Sequence, residues 1–155
     1  MATEIERKFL VKSDAWREGP AGERIVQGYL CRDEQRTVRV RTKGSKGFLT
    51  IKGSSEGISR KEFEYEVPLE EAEELLRICV PPLLDKVRYE RRCGGHVWEI
   101  DEFAGENQGL IVAEIELEDA ASDFEKPDWV GEEVSDDSRY YNARLADHPW
   151  SQWGK

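Results

Sequence analysis

The chain has 155 residues, 38% of them hydrophobic and 36% charged, and a formal net charge of −10. That length suits a single domain over 1–155, and the acidic balance excludes capture of nucleic acid or an anionic membrane by long-range attraction. The three cysteines, Cys31, Cys79 and Cys93, are odd in number and form no CxxC, which excludes a disulfide framework or a zinc cage.

Strands are predicted at 3–11, 24–32, 36–43, 47–53 and 59–67, parted by Gly-containing breaks that read as tight turns. A helix follows Pro68, where Leu69, Ala72, Leu75, Leu76 and Cys79 form an apolar stripe behind an acidic first turn; Pro81 and Pro82 stop it. Strands resume at 84–93, 96–103 and 110–118. A second helix is expected over 137–146 with Asp136 or Asp137 as its cap, and short helical turns near 13–18 and 123–130. The tail carries Trp150 and Trp153. The charged N-terminus lacks the apolar stretch of a signal peptide, so the cytoplasm is the expected compartment.

Residues two apart in a strand share a face. On that parity, Glu4, Glu6 and Lys8 stand together, as do Arg39, Arg41 and Lys43, then Thr50 and Lys52. Arg60, Glu62, Glu64 and Glu66 form another row, followed by Lys86, Arg88, Glu90 and Arg92, by Glu99 and Asp101, and by Glu114, Glu116 and Glu118. The opposite faces are apolar, with Arg7 and Arg91 as exceptions. Like charges about 6.6 Å apart along a strand repel by roughly 2.5 kcal/mol at an effective dielectric near 20. Repeating that arrangement on strand after strand calls for opposite charges, metals or phosphates facing them. A closed eight-stranded antiparallel barrel meets the requirement, with basic and acidic rows across a water-filled tunnel and apolar faces outside beneath the helices. The expected class is α+β, mainly β. Such a tunnel offers guanidinium and ammonium donors for phosphate oxygens, and hard carboxylate donors that suit Mg²⁺ or Mn²⁺.

In this order and spacing the motifs resemble the CYTH family, or triphosphate tunnel metalloenzymes. They are Glu4-Ile5-Glu6-Arg7-Lys8, Gln27-Gly28-Tyr29-Leu30, Thr37-Val38-Arg39-Val40-Arg41, Thr50-Ile51-Lys52-Gly53, Glu62-Phe63-Glu64, Lys86-Val87-Arg88-Tyr89, Asp101-Glu102-Phe103, the segment 109–117 and Tyr140-Tyr141-Asn142. The resemblance implies metal-dependent hydrolysis of a triphosphate, with inorganic tripolyphosphate as first choice. Class IV adenylyl cyclase or thiamine or nucleoside triphosphatase activity are the alternatives within the family. It further implies phosphate binding by Lys8, Arg39, Arg41, Lys52, Lys86 and Arg88, and metal binding by Glu4, Glu6, Asp101, Glu114 and Glu116. Glu62 and Glu64 would place the attacking water or a second metal, and Tyr29 is the candidate proton-transfer group beside Lys8. The expected partner is a small-molecule triphosphate, with neither nucleic acid nor membrane, and the expected assembly is a monomer or homodimer. A non-catalytic polyphosphate- or nucleotide-binding module would keep the cationic rows but could dispense with the acidic ones, which here are complete.

Overall fold

The structure, a computed structural model, describes residues 3–33, 35–54 and 58–153, with the backbone alone at 3, 4 and 147. In chain order its elements are β1 (Thr3–Val11), β2 (Glu23–Arg32), β3 (Arg36–Lys43), β4 (Lys46–Gly53), β5 (Ser59–Val67), α1 (Leu69–Arg77), β6 (Val80–Cys93), β7 (His96–Phe103), β8 (Ile111–Glu116), β9 (Val130–Glu133) and α2 (Asn142–Asp147), with 3₁₀ turns between them.

The strands join antiparallel in the order β5-β4-β3-β2-β6-β7-β8-β1, and β5 pairs back onto β1 to close an eight-stranded barrel. Closure is brief. Among the described residues β5 meets β1 through Thr3↔Lys61, Glu4↔Arg60 and Ile5↔Ser59, and β9 takes over the same edge of β1 at Phe9 and Val11. On the other edge β8 runs alongside β1 from Glu6 to Leu10.

The expected inversion of the barrel is present. Phe9, Trp98, Ile100, Ala113 and Ile115 face outward and pack with Trp16, Leu117 and Trp129 from the connecting segments and with Val130 of β9. Val40 likewise faces outward beneath α1, against Ala72 and Leu76. The lumen is not charged from end to end, however. Leu84, Phe103 and Val112 occupy lumen positions and meet Leu145 and Ala146 of α2, with Tyr140, Trp150 and Trp153 packed around them. One end of the barrel therefore has an apolar floor, and the tryptophan tail packs on it.

Three expectations change. Strand β6 starts at Val80 rather than 84, running through the prolines. The β2–β6 ladder steps from Gln27↔Leu84 to Tyr29↔Val80, so Pro81 and Pro82 sit in a bulge where no amide is called for. The turn predicted near 123–130 is irregular chain that delivers Trp129 to the outer core and leads into β9. The C-terminal helix is split: Asp137 accepts a hydrogen bond from the Arg139 amide to cap a 3₁₀ turn over Ser138–Tyr140, and the extended backbone of Tyr141 separates it from α2. Among the described residues no helix is long and apolar enough to cross a membrane.

Candidate active site

The barrel wall places the predicted charges on one lumen in register. Lys8 lies opposite Glu114 and Glu6 opposite Glu116 across β1–β8. Thr37 pairs with Lys52 and Arg39 with Thr50 across β3–β4, and Lys52 pairs with Glu62 and Thr50 with Glu64 across β4–β5. Arg88 pairs with Asp101 across β6–β7, and Glu99 with Glu114 across β7–β8. The alternation works because no strand in this wall carries a bulge between its charged positions.

Each buried cation has found a carboxylate. The Lys8 Nζ lies 2.7 Å from Glu114 Oε1 and 3.1 Å from Glu6 Oε1. Burial alone would lower its pKa, but Glu114 and Glu6 overcome that and raise it, keeping the ammonium charged. Arg88 grips Asp101 with Nε and Nη2 at 2.7 and 2.8 Å, and approaches Glu99 at 3.4 Å and Glu114 at 3.7 Å. Asp101 is fully buried and also holds Lys86 Nζ at 2.7 Å. Burial would raise the Asp101 pKa, yet Arg88 and Lys86 pull it below the ordinary aspartate range. Lys86 is fully buried above the floor, and desolvation lowers its pKa to about 8 despite Asp101. Lys52 pairs with Glu62 at 3.3 Å.

The arginine wall of β3 differs. Arg39 and Arg41 share one carboxylate, Glu64, at 3.8 and 3.3 Å, and Thr50 Oγ donates to the same Glu64 oxygen at 3.0 Å. The Nε of each arginine is buried with no hydrogen-bond partner among the described residues. Burial, then the neighbouring charges of Arg39 and Arg88, lowers the Arg41 pKa to about 10. This wall carries more positive charge and more donors than its own carboxylate satisfies.

A cavity of about 640 Å³ opens beside it. Among its lining residues are Glu6, Lys8, Tyr29, Arg39 and Lys52 from the prediction, and Arg60. Arg41, Glu64, Arg88 and Glu114 adjoin it through the ion pairs above. Glu116 is exposed at the β8 end, and Lys86 and Asp101 lie deeper, outside the lining. The Glu4 side chain falls outside the described residues.

Several lining residues escaped sequence reasoning. Arg32 reaches the lumen because β2 bulges between Tyr29 and Cys31, so that Arg32, not Cys31, opposes lumen-facing Thr37. Ser135, Ser138, Tyr141 and Arg144 form the facing wall from a segment outside the barrel; only the Tyr140-Tyr141-Asn142 motif marked that region. Glu99 shares the face as its parity required, and burial, with Glu114 and Asp101 nearby, raises its pKa.

Among the described residues no three carboxylates are gathered into a metal cage, since Glu6 and Glu114 are turned onto Lys8. The fit lies in the wall itself. Glu6 directly opposes Glu116, and Glu114 opposes Glu99, which are like-charge cross-strand pairs built only of hard oxygen donors. A divalent cation between such pairs removes the repulsion, so the residues suit one.

The CYTH domain profile matches residues 2–143. The inorganic triphosphatase of Acetivibrio thermocellus is 48% identical over 154 residues, 99% of each chain. That of Nitrosomonas europaea is 39% identical over 152 residues, covering 93% of this chain and 97% of its own. A crystal structure of an inorganic triphosphatase superposes with a TM-score of 0.66 at 36% identity, covering 94% of this chain and 95% of that one. A profile spanning nearly the whole barrel, together with relatives matched end to end, establishes that the chain belongs to the CYTH-domain family.

Proposed function

We propose that the protein hydrolyses inorganic triphosphate to diphosphate and phosphate with the help of Mg²⁺ or Mn²⁺. The observation that carries this reading is the arginine wall: Arg39, which lines the cavity, and Arg41 share Glu64, and each has a buried Nε with no hydrogen-bond partner among the described residues. Buried donors without acceptors are costly, and a phosphate chain supplies acceptors of the right charge and spacing. The similarity to inorganic triphosphatases agrees with it. The apolar floor supports a compact substrate, because it leaves no polar recess for a base at that end.

Lys8, Arg39, Arg41, Lys52 and Arg88 bind and orient the phosphates, exchanging their carboxylate partners for phosphate oxygens. Asp101 serves by orientation: with both oxygens engaged by Arg88 and Lys86, it fixes the Arg88 fork toward the lumen. Glu6, Glu114 and Glu116, with Glu4 from the same strand, would hold the divalent ion, which would supply Lewis-acid neutralisation of phosphate oxygens. Water attacks the terminal phosphorus, the bridging P–O bond breaks, and diphosphate leaves. Glu64, released as phosphate takes over its arginines, accepts the water's proton with Glu62 beside it. The Tyr29 hydroxyl, which receives a 3.4 Å hydrogen bond from Gln27, stands at the cavity as a second proton-transfer group. The test is a substrate panel: tripolyphosphate, ATP and thiamine triphosphate with each metal, read as phosphate and cyclic-nucleotide release. Fast phosphate release from tripolyphosphate alone is expected. Binding without turnover of any of them would overturn the enzymatic reading.

A further inference from the structure

Among the described residues, no strand pairs with β1 at Lys8 on one of its edges. β5 pairs with β1 only as far as Ile5, and β9 joins the same edge at Phe9. In the interval, the Lys8 amide donates to Ser135 Oγ at 2.9 Å, and the Lys8 carbonyl accepts from the Val134 amide at 2.8 Å. A side-chain hydroxyl thus takes the place of a strand carbonyl. Ser135 is 8% exposed.

Its hydroxyl is committed in one direction. Ser135 Oγ has two acceptors in reach, Glu133 Oε2 at 2.6 Å and the Lys8 carbonyl at 3.5 Å; its single proton goes to the nearer, charged oxygen, leaving a lone pair toward the Lys8 amide. Glu133 is itself held by Arg7 through Nε at 2.8 Å and Nη2 at 2.6 Å, and Arg7 rests over the Phe124 ring at 4.9 Å. On its other side the Ser135 carbonyl accepts from the Tyr141 hydroxyl at 2.9 Å, and both residues line the cavity.

We propose that Ser135 is a positioning residue that aims the Lys8 ammonium into the phosphate site. The inference rests on reading Lys8 as a phosphate-binding cation and adds the device that fixes it. The ammonium must keep its place while the incoming anion competes with Glu114 and Glu6. Its aim depends on the Cα position, and on this edge of β1 the Lys8 amide and carbonyl are tied to the 134–135 segment. A displacement of about 1 Å in such a group is enough to cost much of its effect on a bound anion.

The test is a double-mutant cycle read by calorimetric titration of tripolyphosphate without metal. Ser135→Ala is expected to weaken binding about tenfold, and Ser135→Thr, which keeps the hydroxyl, to restore it. In a Lys8→Ala background, Ser135→Ala is expected to change nothing further, because the group it aims is gone. Should Ser135→Ala fail to fold, Glu133→Gln, which loosens the hydroxyl's anchor, carries the same cycle with a smaller loss. Native binding by Ser135→Ala, or an equal loss with and without Lys8, overturns the proposal while leaving the role of Lys8 standing. Native binding by Lys8→Ala alone overturns the reading of Lys8 and this inference with it.

Discussion

Arg88 and Asp101 form a two-point fork inside the barrel, with Nε 2.7 Å from one carboxylate oxygen and Nη2 2.8 Å from the other. The pair lies cross-strand on β6 and β7, so the backbone register delivers it and the side chains need no detour. Asp101→Asn would leave Arg88 and Lys86 buried with a neutral partner. Breaking a buried pair on one side costs about 3–5 kcal/mol. Urea unfolding of this variant at neutral pH is expected to show a loss of that size; native stability would mean that the lumen is wetter than its burial implies.

Lys8 and Glu116 lie on the adjacent strands β1 and β8, one in the proposed phosphate set and the other in the proposed metal set. Alanine at either position is expected to lower turnover of tripolyphosphate by at least about a hundredfold while the circular-dichroism spectrum stays native. Full activity in either variant would reject that residue's assignment.

The floor makes a separate prediction. Leu145 is fully buried against Leu84, Phe103 and Val112. Leu145→Ala is expected to destabilise the fold by about 2–5 kcal/mol, as for other buried leucines. Denaturant midpoints measure it. A change below this range would mean that α2 is loosely seated and that the barrel end is open.

Acid stability has an identifiable contributor outside the lumen. The hydrogen bonds from Arg7, and further from Ser135, hold the Glu133 carboxyl below the usual glutamate range. A folded pKa below the unfolded one gives stability that is fully present above about pH 4.3 and is lost as pH falls through the folded value. Glu133→Gln is therefore expected to unfold over a shallower acid range than the native protein, in melts recorded between neutrality and strong acid. An unchanged acid limb would show that Glu133 does not feel Arg7 in solution.

Much of this arrangement was legible as strand parity. Glu6, Lys8, Arg39, Arg41, Lys52, Arg88 and Glu114 reach one lumen because side chains alternate and the charged rows keep phase. The two exceptions on the apolar faces turn out to be outward-facing anchors. Arg7 grips Glu133, and Arg91 donates to the Trp16 carbonyl at 2.6 Å, tying the 3₁₀ turn at Ala15–Arg17 to the barrel. What parity missed has physical causes. A bulge reverses phase at Arg32. Strand β9 is four residues long and half acidic, too short for a periodic signal. Ser135 and Tyr141 act from irregular chain, where no period exists to read. The floor follows the same parity, since Leu84 and Val112 share the phase of Lys86 and Glu114, but the density of charge along these rows masks the apolar positions among them.

In the proposed mode of binding, cations from several strands jointly hold a phosphate chain within the lumen. A crystal structure with tripolyphosphate and Ca²⁺ tests it most directly. The expected density lies inside the barrel, with phosphate oxygens on Lys8, Arg39, Arg41 and Lys52 and the cation against Glu6, Glu114 and Glu116. An anion bound on the outer surface, with the lumen ion pairs undisturbed at saturating ligand, would contradict the account.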